Sequence, residues 1–197
     1  MQATSDKDKP ELAKIYLASY AQARAAIQTG DTIGIQTGTL GGRVIQAGQA
    51  IAGLAYSHIT HCGVAMWFGH RLMLVEMGPA GNAIRPLSQY AGKRVVVCPP
   101  APGTDLSRFD LVLDHITERP IPYGFFDLIS IGLRLLPMRL IDTRQWGGDG
   151  DRDKVCSLLP KMVYRALGGD VSAIPDLAAP AEVAMALGVK LRIEGGV

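Results

Sequence analysis

The fold turns on one stretch: Tyr56-Ser57-His58-Ile59-Thr60-His61-Cys62-Gly63-Val64-Ala65-Met66-Trp67-Phe68-Gly69-His70-Arg71-Leu72-Met73-Leu74-Val75-Glu76-Met77. From His61 to Phe68, and again from Arg71 to Met77, it is rich in Val, Met and aromatic residues, which suit a pleated, half-buried surface. Gly69 and His70 supply a turn between the two runs, so the stretch predicts a β-hairpin over 61–77. Successive side chains of a strand leave opposite faces, so Cys62 is expected on the side of the sheet away from His61.

Upstream, residues 31–37 alternate around Ile33 and Ile35 and predict another strand. Gly38, Gly41 and Gly42 then break the pattern before an alanine-rich helix over 43–54. Further back, Leu12, Ile15, Tyr16, Tyr20, Ala23 and Ile27 recur at helical spacing behind Pro10, which predicts a first helix ending by Gly30. Downstream, the pattern predicts a strand over 94–98, helices over 104–117, 123–136, 156–167 and 180–187, and a last strand over 189–193. A polar insertion over 142–154 holds Trp146, Asp149, Asp151 and Asp153 and has the length of a lid or binding loop. Strands gather in the first half and helices in the second, with no repeating strand-helix-strand unit. The expectation is an α+β domain, a central antiparallel sheet packed against helices, rather than a doubly wound sheet.

Composition narrows the partners. Hydrophobic residues are 48% of the 197 and charged residues 19%, which suits a globular chain and not a disordered one. Twenty Lys+Arg against 18 Asp+Glu give a net charge of +2, with no basic stripe, so nucleic acid is not an expected partner. Three cysteines, Cys62, Cys98 and Cys156, are too few and too odd in number for a disulfide framework. Residues 1–10 are polar where a secretion signal needs an apolar run, so no signal peptide is expected, and with free thiols the default a reducing, cytoplasmic location is expected. The most apolar stretch, 125–141, is interrupted by Asp127, Arg134, Pro137 and Arg139 and falls short of the roughly 20 residues a membrane span needs. It reads as a half-buried helix, with contact to a membrane surface or lipid as the alternative.

Several short motifs fail on their chemistry. Asp149, Asp151 and Asp153 have the spacing of a calcium loop, but Lys154 stands where the loop needs Gly and Pro160 where it needs Glu. The glycines after 31–37 resemble a phosphate loop without its Gly-Lys-Ser/Thr. His58 and His61, with Glu76 or Cys62, stay open as a zinc alternative, although an offset of three on a strand separates the two rings. Otherwise no cofactor or metal is expected.

Cys156 is the candidate nucleophile, with a buried structural cysteine at a helix start as the equal alternative. A thiol becomes a nucleophile as its thiolate, and a helix N-terminus beside an imidazole favours that form. Cys156 opens the run Cys-Ser-Leu-Leu-Pro-Lys-Met-Val-Tyr, and Pro160, tolerated only near a first helical turn, pins the helix start close to it. Cys62 and Cys98 lie inside strands and read as small apolar core residues.

Thr60-His61-Cys62-Gly63-Val64 resembles the Ser/Thr-His-x-Gly-Ile-Val strand of the circularly permuted branch of the NlpC/p60-type papain-like cysteine hydrolases, which is related to lecithin retinol acyltransferase-like proteins. The resemblance extends, in order, to Gly30-Asp31-Thr32-Ile33, Val75-Glu76-Met77-Gly78-Pro79 with Arg85-Pro86-Leu87 behind it, Tyr123-Gly124-Phe125-Phe126-Asp127, Val155-Cys156-Ser157-Leu158-Leu159 and Pro175-Asp176-Leu177. It implies a permuted papain-like fold over 30–197 behind an N-terminal helical extension, 1–29. It also implies Cys156 as nucleophile, His61 as general base and Glu76 as the carboxylate that orients His61, with His58 the runner-up base. Leu158 departs from the family, where an acidic residue is common, and Pro160 is unusual so early in that helix. The implied activity is that of an amidase, peptidase or acyltransferase working through a Cys156 thioester. Its substrates would be peptidoglycan peptides or lipid and N-acyl amides, with a wall substrate requiring delivery by a phage particle or secretion machine and hence a virion-associated location as the alternative to a cytoplasmic one. The alternative is a catalytically relaxed fold serving as a binding or structural module in a larger assembly.

Overall fold

Ile33 and Ile35 alternate with Thr32 and Gly34 along the strand Thr32–Ile35 (β1), yet all four residues are buried. The reason is that both faces of its sheet are covered. A computed structural model of the chain describes residues 20–78, 81–118 and 156–193. The helix expected over 123–136, the apolar stretch 125–141 and the loop 142–154 lie outside the described residues.

Six strands form one antiparallel sheet. They are β1, His61–Phe68 (β2), Arg71–Gly78 (β3), Gly81–Pro86 (β4), Val95–Cys98 (β5) and Leu191–Ile193 (β6), in the spatial order β4-β3-β2-β1-β5-β6. The described helices are Tyr20–Arg24 (α1), Leu40–Ile51 (α2), Phe109–Glu118 (α3), Leu158–Ala166 (α4) and Pro180–Leu187 (α5), with 3-10 turns at Leu87–Tyr90 and Leu106–Arg108. The architecture is thus mixed α/β, an antiparallel sheet with several helices. Val64, Met66, Val75 and Met77 meet Phe109, Leu159, Val163, Tyr164 and Val183 on one face. On the other, Ile33, Ile35, Ala65, Leu74, Val95 and Val97 meet Ala23, Ile27 and Leu87.

The hairpin over 61–77 forms as expected, with Gly63 opposite Glu76 and Phe68 opposite Arg71. Strand β4 corrects the sequence reading, which placed no strand between 77 and 94. Gly81, Asn82 and Pro86 read as turn residues, but β4 is the edge of the sheet, where such residues are tolerated. The first helix also departs from its periodicity. Described helix ends at Arg24, although Ala23 and Ile27 are both buried in the core. Trp67 explains the capture of this segment: its indole Nε1–H donates to Ile27 O (2.8 Å) and its amide to Thr29 Oγ1 (3.0 Å). The described end of the 1–29 segment therefore packs on the sheet.

Helix α2 starts earlier than the glycines suggest, because Thr39 Oγ1 accepts from the Gly42 amide at 3.1 Å and caps it. Helix α4 starts at Leu158, two residues after Cys156, and Pro160 falls in its first turn, where no intrahelical N–H is lost. Tyr164, on the same helix, fixes α4 to the sheet. Its hydroxyl donates to Gly30 O and accepts from Thr32 Oγ1, both at 2.6 Å. Gly30, at φ +92°, adopts a backbone conformation that side chains disfavour. The neighbouring Asp31 is fully buried and paired with Lys190 Nζ at 2.7 Å. Asp176 likewise binds Lys161 Nζ at 2.9 Å and so ties the segment before α5 to α4.

Candidate active site

His61 opens β2, and Glu76 lies on β3 opposite Gly63. Two residues along a strand return to the same face, so His61 and Glu76 are diagonal neighbours across the hairpin. Gly63 lets the strands close between them. A Cβ there would sit 2.5 Å from Val75 O and 2.7 Å from a Leu74 methyl. His61 Nε2 and Glu76 Oε2 are 2.8 Å apart, with both side chains largely buried at 14% and 6% exposure.

Cys156 completes the row. The β2–β3 ladder ends at the Gly63–Glu76 pair, and the amide of the next residue out, Cys62, donates to Cys156 Sγ. The Ser157 amide and the His61 ring also bond that sulfur. Because Nε2 is taken by Glu76, Nδ1 is the ring nitrogen left for the sulfur. The structure thus brings together all three site residues expected from sequence, from β2, β3 and the start of α4. His58 is half-buried in the turn that leads to β2.

Burial is the largest influence on the Cys156 thiol and raises its pKa. The His61 charge, its hydrogen bond and the two amides together outweigh burial and hold the thiol below its ordinary range. Burial likewise disfavours the charged His61 ring, but the Cys156 charge and hydrogen bond, followed by those of Glu76, push it up to about 10. Burial raises Glu76 too, yet hydrogen bonds from His61 and Tyr90 and the charges of His61 and Arg85 leave it below the usual glutamate value. Each of these shifts favours the charged form of its group, thiolate, imidazolium or carboxylate, relative to the free side chain. Burial drives Cys98 the other way, up to about 12, and Cys62 well above its ordinary value, which leaves both as neutral thiols.

Four residues at this site carried no role in the sequence reading. Tyr90 Oη donates to Glu76 Oε2 at 2.6 Å, and Arg85 Nε pairs with Oε1 at 3.0 Å. Gln49, fully buried in α2, donates to Ser57 O (2.8 Å) and Ile59 O (2.7 Å) and accepts from the Ala181 amide (2.9 Å). It braces the loop that delivers His61, as does Arg192, whose guanidinium donates to Tyr56 Oη at 2.8 Å beside the left-handed backbone of Tyr56 at φ +61°. A glutamine among alanines was the only sequence signal for any of these contacts.

The zinc alternative loses its first ligand, because both His61 ring nitrogens are engaged by Glu76 and Cys156. Among the described residues, no group of three or more His, Cys, Asp or Glu could hold a metal ion. No helix among them is long and apolar enough to cross a membrane. No family model matches the chain, and no curated protein matches it.

Proposed function

We propose that this chain is a cysteine hydrolase or acyltransferase with a circularly permuted, NlpC/p60-type papain-like site, cleaving amide or ester bonds through a thioester on Cys156. The observation that carries the reading is the hydrogen-bonded row of Cys156, His61 and Glu76, drawn from positions far apart in the chain. Cys156 Sγ attacks the substrate carbonyl carbon, and the carbonyl oxygen takes the negative charge. Collapse of this intermediate breaks the bond to the leaving group, which takes its proton from the His61 imidazolium, and leaves a thioester. Neutral His61 then removes a proton from water or an acceptor nucleophile, which attacks the thioester and releases Cys156 as thiolate. Glu76 keeps the ring oriented through both half-reactions. The Cys156 amide, at the entry to α4, is the candidate donor to the oxyanion. A triad is recognised by these roles and their geometry, so the order His, Glu, Cys along the chain is no obstacle.

The substrate classes that fit the resemblance are peptidoglycan stem peptides and lipid or N-acyl amides. The Leu158 and Pro160 departures would favour a binding module if they displaced the sulfur from the ring. With Pro160 in the first turn and Cys156 on His61, the hydrolase is the better supported reading. Incubation with a muropeptide panel and a fatty-acyl amide panel, followed by mass spectrometry, tests it. An acyl adduct on the Cys156 peptide and turnover that disappears in Cys156→Ala are expected. No adduct and no Cys156-dependent turnover on either panel would favour the module.

A further inference from the structure

The carboxylate of Glu76 has more partners than the proposed reaction strictly requires. Oε2 accepts from Tyr90 Oη at 2.6 Å as well as facing His61 Nε2 at 2.8 Å, while Oε1 pairs with Arg85 Nε at 3.0 Å. Tyr90 is the last residue of the 3-10 turn that follows edge strand β4, and its ring centroid lies 6.4 Å from that of His61. Among the described residues, the titratable groups around Glu76 are His61 from β2, Arg85 from β4 and Tyr90, with Cys156 behind His61. A buried carboxylate with donors on both oxygens cannot rotate without breaking a hydrogen bond, and each donor favours its charged form.

We propose that Tyr90 is a positioning residue of this site: its hydroxyl holds Glu76 ionised, with Oε2 turned to His61, and so keeps the Cys156–His61 ion pair available at mildly acidic pH. The proposal rests on the thiol chemistry given above. Tyr90 suits the task because its phenol stays protonated, and hence a donor, well beyond the ordinary tyrosine range, through burial and the hydrogen bond to Glu76. Arg85, with its side chain 52% exposed, supplies the second anchor but is open to solvent. Tyr90 is therefore the more effective of the two at offsetting burial.

The test is the pH profile of Cys156 alkylation by iodoacetamide, followed by peptide mass spectrometry in the full chain. Loss of one hydrogen bond to a carboxylate lets it protonate at higher pH. Tyr90→Phe is thus expected to move the acid limb of the profile up by about one pH unit. In a Glu76→Gln background the same change is expected to move nothing. An acid limb that stays in place in Tyr90→Phe, whatever happens to the overall rate, overturns the proposal. So does an equal shift in the Glu76→Gln background. Should Tyr90→Phe fail to fold, ultraviolet titration of the Tyr90 phenol in Glu76→Gln decides instead. Movement of that titration toward the ordinary tyrosine range supports the proposal, and no movement sinks it. Failure of the hydrolase reading would look different: the wild-type protein itself would then lack fast, His61-dependent alkylation.

Discussion

Replacing His61 with alanine removes the group that holds the Cys156 sulfur ionised, and the loss can be sized. Without the imidazole, burial pushes the thiol up against only the amides of Cys62 and Ser157. Even at its ordinary value of 9.0, a thiol is about 1% ionised at pH 7, so at most about 1% of Cys156 stays thiolate in the variant. The more basic thiolate is intrinsically more reactive, with a Brønsted slope of about 0.4–0.5, which recovers about threefold of the roughly tenfold lost for each unit the thiol rises above the assay pH. Iodoacetamide should therefore label Cys156 at pH 7 more slowly in His61→Ala than in the wild type, by about threefold for each such unit. The profile should change shape as well. The wild-type rate is expected to level off at lower pH than that of the variant, whose rate climbs toward about tenfold per unit, because each unit below a pKa costs a thiol that much thiolate. Cys62 and Cys98, both buried and neutral, serve as slow internal controls. Fast, pH-independent labelling of Cys156 in His61→Ala would refute the reasoning, since the ionisation would then owe nothing to the imidazole.

Three further outcomes follow from the same contacts. Gly63→Ala should cost about 2 kcal/mol in urea denaturation, because a Cβ 2.5 Å from Val75 O forces the hairpin apart; a midpoint unchanged from wild type would contradict this. Gln49→Leu strands three backbone groups, two of them fully buried, and should cost about 3 kcal/mol, with slower Cys156 alkylation as the loop before His61 relaxes. The ion pair also leaves a signature in stability against pH. His61, raised from 6.5 to about 10, contributes stability that is complete below 6.5 and lost as pH rises toward 10. Cys156, lowered from 9.0, contributes stability that is complete above 9.0 and lost as pH falls through its folded pKa. Below 9.0 the two trends oppose each other once both groups titrate, and above 9.0, where only His61 still does, their sum falls by about 1 kcal/mol toward pH 10. The difference in urea midpoint between the wild type and a Cys156→Ala/His61→Ala variant checks this, and a difference that does not shrink between pH 9 and 10 would contradict it.

Much of the scaffold was legible because its signals are local. The hairpin over 61–77 announced itself through β-branched, aromatic and methionine runs around a Gly-His turn. Helix α5 kept its predicted bounds because Pro180 can only stand at a helix start. Non-local packing misled the reading elsewhere. Ile27 has helical spacing from Ala23 but is buried through Trp67 rather than on a helix. Gly81, Asn82 and Pro86 say turn until their place at the sheet edge is known.

The candidate site divides the same way. A cysteine before a proline-marked helix start is a local pattern and singled out Cys156 as a candidate, but His61 and Glu76 were named as its partners through the resemblance of motifs shared in order along the chain. That these patterns meet, with the Cys62 and Ser157 amides on the sulfur and Tyr90 and Arg85 on the carboxylate, is a property of the assembled sheet and α4. Periodicity and turn chemistry act over a few residues and so are written in the sequence. Which polar groups share a buried volume depends on how separate elements pack, and for this chain the packing alone placed a sulfur from residue 156 against a ring from residue 61.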